Sequence, residues 1–160
     1  MRNYNKKIIM EITRKRIETN RAYTAGILSV NGKTVAPYTL EYTQCMIPAG
    51  TYQVTIVSYP KMEHRQLAIV PEDYDPEDLH PRVIATIRSG NSYRNVMYTP
   101  HMVLGERLIS GAVINSLKLY IRLFERIEKC VIRGERITLK VTDDGMRESR
   151  VARHWTIGEE

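Results

Sequence analysis

The chain has 160 residues, 42% of them hydrophobic and 26% charged, which suits one globular domain with a sizeable core. No stretch reaches the roughly 18 apolar residues that a membrane span needs. The apolar run near the start stops at Met10, before Glu11, which is too short for a secretory signal, so cytoplasmic synthesis is expected.

Taken in order, the first element is KKIIMEITR, where Ile8, Met10 and Ile12 alternate with polar residues as in a half-buried strand. It lies in the most basic part of a chain whose formal net charge is +6. Arg2, Lys6, Lys7, Arg14, Lys15 and Arg16 are opposed there only by Glu11. Such an arm suits contact with a polyanion or an acidic neighbour, or else is the wet face of a strand. TAGILSVNGKTVAPYTLEY reads as a hairpin, because Asn31-Gly32 is a preferred pair for a type I′ turn. IPAGTYQVTIVSY then gives a turn at Pro48 to Gly50 and a strand alternating Tyr52, Val54 and Ile56.

The stretch from Met62 to Pro81 reads as a loop, with an acidic run of Glu72, Asp73, Asp75, Glu77 and Asp78. His64 and His80 flank these carboxylates, but the pattern is that of a solvated loop, and no metal is expected. RVIATIR is the next strand, with Val83, Ala85 and Ile87 on one face. NSLKLYIRLFERIEKC is the one principal helix, capped by Asn115 or Ser116, with Leu117, Tyr120, Ile121, Phe124 and Ile127 at helical spacing. ERITLKV closes the domain as a strand, with Ile137, Leu139 and Val141 on its apolar face. The domain thus spans residues 1–142, followed by a tail, 143–160, that is either a loose extension or a short arm docking on a partner, with Trp155 as the anchor in the second case. Cys45 and Cys130 form no CxxC and have no ligand-spaced histidine beside them, so neither zinc nor another cofactor is expected.

With these elements placed, the chain resembles a bacterial and phage family of unknown function that is itself similar to the L,D-transpeptidase (YkuD-like) domain. Ile12-Thr13-Arg14, TAGILSVNGKTVAPYTLEY with Thr39-Leu40-Glu41, and Ile47-Pro48-Ala49-Gly50-Thr51-Tyr52 carry the first half of the resemblance. Ile87-Arg88-Ser89-Gly90-Asn91, Pro100-His101-Met102-Val103-Leu104-Gly105 and the helix after Asn115-Ser116 carry the second. The resemblance implies a β-rich α+β fold: a twisted, partly barrel-like antiparallel sheet with one amphipathic helix across it.

It also implies where chemistry would occur. In L,D-transpeptidases a cysteine attacks a peptide carbonyl and a histidine draws off its proton. Here the histidine position is Arg88, and the Gly-Cys pair is Pro100-His101. Arginine stays protonated near neutral pH and cannot serve as a base. Proline removes a backbone N–H, and imidazole supplies no thiolate. The expectation is therefore a pseudoenzyme acting as a structural or protein-interaction subunit, with other protein subunits as partners and a phage virion as one setting. Two alternatives stay open. One is a rewired cell-wall peptidase using His101 with Ser89, Ser92 or Thr99; the other is nucleic-acid binding through the basic arm.

Overall fold

The computed structural model describes residues 8–148 apart from 60, 61 and 79. The opening alternation becomes strand β1 (Ile8–Thr19), with Met10 and Ile12 buried and Glu11 and Thr13 exposed. The period of two continues past the apolar residues, so Arg14 and Arg16 also face inward while Lys15 faces out. β2 (Tyr23–Val30) and β3 (Lys33–Tyr42) form the expected hairpin. Its turn residues Asn31 and Gly32 have φ of +50° and +83°, as a type I′ turn requires. The Asn31 side-chain oxygen also accepts from the Glu11 N–H at 2.9 Å, tying the turn to β1.

β4 (Gly50–Tyr59) is followed by β5 (Met62–Pro71), a strand in the stretch that the sequence pattern reads as loop. Leu67, Ala68, Ile69 and Val70 are all buried, so β5 is covered on both faces and shows no alternation to betray it. β6 (Ala85–Arg88) and β7 (His101–Gly105) come next, then a small hairpin of β8 (Arg107–Ile109) and β9 (Ala112–Ile114). Helix α1 (Ser116–Ile132), β10 (Arg136–Thr142) and the short β11 (Arg147–Glu148) complete the described chain.

The strands hydrogen-bond in the order β10-β4-β5-β6-β7-β3-β2-β1, and β1 pairs back onto β10. The result is a closed, eight-stranded barrel with no free edge. The fold is β-rich α+β, as expected, but the barrel is fully closed and mixed where a partly barrel-like antiparallel sheet was anticipated. β1 runs parallel to β10, and β6 parallel to β7. Each parallel pair needs a long return path. One runs through most of the chain, and the other through residues 89–100, which carry a short 3-10 turn at Tyr93–Val96. β11 adds two parallel pairs to Glu18 and Thr19 of β1, so the start of the tail is attached to the barrel.

The larger core joins the barrel interior to the inner face of α1, through Leu119, Leu123, Ile127 and Cys130. The helix is therefore rotated from the face anticipated: Leu117 and Ile121 are exposed, while Tyr120 and Phe124 flank the buried row. Apolar residues cover more than half of the helix circumference, so their spacing alone leaves the phase open. A second apolar cluster gathers Tyr23, Leu40, Tyr42, Tyr93, Val96 and Val113. No helix among the described residues is long and apolar enough to cross a membrane.

Candidate functional site

Parallel pairing of β6 with β7 sets Thr86 opposite His101 and Arg88 opposite Val103, which places Arg88 and His101 on one strand pair. Arg88 ends β6 and is exposed; Pro100 is exposed just before β7. His101 is half-buried, and its Nδ1 lies 2.5 Å from the Thr86 hydroxyl oxygen. Burial holds the imidazole below its ordinary pKa of 6.5, and the neighbouring Arg88 charge pushes it the same way. Tyr120 of α1 is affected by Arg88 too: burial raises its phenol, while the Leu67 backbone and then Arg88 oppose the shift.

The connection between these strands is held by its own hydrogen bonds. Asn95 accepts from the N–H groups of Asn91 and Ser92 at 2.6 and 3.0 Å. Gly90 N–H donates to Ser116 Oγ at 3.0 Å, fixing the Gly-Asn turn to the start of α1. The hydroxyls considered as replacement nucleophiles include two engaged elsewhere: Ser92 Oγ accepts from Arg94 N–H at 3.2 Å, and Thr99 Oγ1 donates to Val96 O at 3.0 Å. The hydroxyl that meets His101 is that of Thr86, which is buried in the barrel wall and so offers no approach to a peptide carbonyl.

Both thiols lie in apolar surroundings: Cys130 in the larger core, Cys45 against the second cluster. Both are free, and burial, followed by Glu135, pushes the Cys130 thiol above its ordinary value. No hydrogen bond among the described residues joins either thiol to a histidine. The low pKa of His101 has a pH consequence. Neutral imidazole is favoured in the fold, so its contribution to stability is present above about pH 6.5 and is lost as the pH falls through the lower folded value. Melting temperatures measured from pH 7.5 to 5 should fall for the wild type, and His101→Gln should flatten part of that slope.

The densest polar cluster lies elsewhere, inside the barrel. Arg14, Arg16 and Glu41 are at most 2% exposed. Both guanidinium groups pair with the one carboxylate, Arg16 Nη2 at 3.1 Å from Glu41 Oε1. Arg14 Nε donates to Thr39 Oγ1 at 2.7 Å, and its Nη2 donates to the carbonyls of Thr24 and Thr39. Arg16 also donates to Ile47 O, while Ile47 N–H donates to Glu41 Oε2 at 2.8 Å. Tyr52 Oη donates to Pro48 O at 2.5 Å. Desolvation brings the Arg14 pKa down to about 10 despite the opposing Glu41 carboxylate. Three motifs quoted for the resemblance, around Arg14, Thr39-Leu40-Glu41 and Ile47-Pro48, thus converge on one structural network.

This burial corrects both readings of Arg14 and Arg16, as binding residues of a basic arm and as the wet face of a strand: they cannot reach an outside partner, and of their stretch Lys15 alone is described and exposed. Arg2, Lys6, Lys7 and Trp155 lie outside the described residues. The signal for the inward arginines was present, since they continue the row of Met10 and Ile12. The acidic run is where solvent can meet it: Glu72, Asp73, Glu77 and Asp78 are exposed and Asp75 is half-buried. No group of three histidine, cysteine or carboxylate side chains among the described residues is placed to hold a metal ion. Compared with known proteins, the chain matches no family model, no curated protein and no solved structure.

Proposed function

We propose that this barrel is a catalytically degenerate L,D-transpeptidase-like module that serves as a structural or protein-interaction subunit, with a large assembly such as a phage virion as its setting. One observation carries the reading. Arg88 and His101 meet on adjacent strands at the positions where the resemblance puts base and nucleophile, and the imidazole is tied to a buried threonine. A guanidinium repels the proton that a base would accept, and the two thiols sit in apolar clusters instead. Interaction through charge is supported by the exposed acidic run Glu72–Asp78 and by the basic start of the chain.

Two measurements test this. Incubation with muropeptides should release or exchange no terminal D-amino acid; release that His101→Ala abolishes would overturn the degenerate-site reading. In size-exclusion chromatography the protein should elute as more than a monomer at low ionic strength. It should return to monomer near 1 M salt, where the screening length is about 3 Å. A monomer at low salt and high concentration would rule out self-assembly through these charges.

A further inference from the structure

β10 pairs with β4 from Thr138 to Val141, but its earlier residues have β1 alone as a strand neighbour, with Arg136 opposite Ile8. The barrel wall therefore parts between Arg136–Ile137 and the middle of β4. A cavity of about 480 Å³ occupies the gap, bounded also by residues 72–76 and the C-terminal end of α1. Its polar wall is strongly acidic: Glu72, Asp73, Asp75 and Glu135 against the guanidinium of Arg136, with Arg133 Nη1 3.8 Å from Glu135 Oε1 behind it. The helix C-terminus adds the negative end of its dipole. Val54, Ile56, Val131 and Ile137 supply the apolar part.

This mouth is held in shape. Gln53 Nε2 donates to Glu72 O at 2.7 Å and to Tyr74 O at 3.1 Å, and Arg136 Nη2 donates to Glu72 O at 3.3 Å. Two buried side-chain atoms among the described residues have no hydrogen-bond partner, and both belong to this wall: Glu135 Oε2 and Arg136 Nε. Native proteins leave few such groups, because each is costly when unpaired. One needs a donor and the other an acceptor, and they stand on consecutive residues.

We infer that the cavity is a recognition pocket for a lysine- or arginine-bearing peptide segment of a neighbouring protein chain. The basic side chain enters between the carboxylates and meets Glu135, and its methylenes lie on Ile56 and Val131. An anionic ligand is excluded by the surrounding carboxylates, and an apolar one would desolvate them without a counter-charge. The inference deepens the interaction role proposed above and rests on it for the source of the peptide.

The probe is a labelled, end-capped peptide copying residues 2–7 of this chain, RNYNKK, titrated by fluorescence anisotropy at low salt. A second peptide carries norleucine in place of Arg2 and both lysines, so that no basic side chain remains. The lysine peptide should bind the full-length protein, and Glu135→Gln should weaken it at least about tenfold, the scale of one lost charge-assisted hydrogen bond. Circular dichroism should show the variant folded as the wild type is. Equal binding of the norleucine peptide, or indifference to Glu135→Gln, overturns the pocket. Absence of peptide binding beside salt-dependent self-association overturns the pocket and leaves the assembly role standing. Binding accompanied by release of a D-amino acid from muropeptides overturns the degenerate-site reading and leaves the pocket standing.

Discussion

Glu41→Ala should destabilise the protein by about 3–5 kcal/mol, the cost of leaving buried charge without its counter-ion. For a chain of this size that lowers the melting temperature by on the order of 10 °C. The reason is stoichiometric. Arg14 and Arg16 share one carboxylate, so its loss strands two guanidinium groups, whereas loss of either arginine leaves a one-to-one pair. Glu41 also accepts from the Ile47 N–H, which would be orphaned as well. Replacing all three together, Arg14→Met with Arg16→Met and Glu41→Leu, should recover much of the loss because the charges leave as a set. Recovery should stop short of completion, since the Ile47 amide and carbonyl and the Thr39 hydroxyl would still lack partners. Thermal melts of the single and triple variants decide it. A Glu41→Ala protein that melts with the wild type would mean that the network carries no stabilising weight.

The same residues show how far the fold can be read before coordinates. Alternation identifies β1, β4 and β10, because each has one face in the barrel and one in water or beneath the helix. The Asn31-Gly32 turn is legible because only left-handed residues close that hairpin. β5 escapes because its middle is buried on both sides and because the polar run Glu63, His64 and Arg65 shows no alternation in sequence. The closing pair of β1 with β10 joins segments more than a hundred residues apart, and no local pattern encodes it. Arg14 and Arg16 mislead for a chemical reason: arginine in a strand ordinarily marks the wet face, and the carboxylate that lets it face inward, Glu41, is 25 or more residues away. That β6 and β7 would carry Arg88 and His101 side by side was expected from the resemblance alone, since no local pattern pairs those strands. The cavity was not, because it arises where β10 outruns its pairing with β4, a property of the assembled barrel.

Gly26→Ala should cost about 2–3 kcal/mol, in the range of overpacking a filled interior, although alanine is otherwise the mildest possible replacement. Gly26 lies on β2 opposite Arg16 of β1, beside a register shift. A β-carbon there would stand 2.7 Å from the Lys15 carbonyl oxygen and 3.0 and 3.1 Å from Nε and Cζ of Arg14. The oxygen belongs to the β1 backbone and cannot retreat without opening the β1–β2 ladder. The guanidinium could turn aside only by giving up Thr39 and Glu41. Glycine is thus required at this position by space, since it is what lets the buried arginine lie flat against β2. Introducing Gly26→Ala into an Arg14→Met background separates the two contacts. The flexible methionine end can shift, so any saving measures the Arg14 share, and the cost that remains belongs to the Lys15 carbonyl. Most of the cost should remain, because that backbone oxygen is both the nearer atom and the one unable to move. A Gly26→Ala melting temperature equal to that of the wild type would show that β1 and β2 part more easily than their pairing implies.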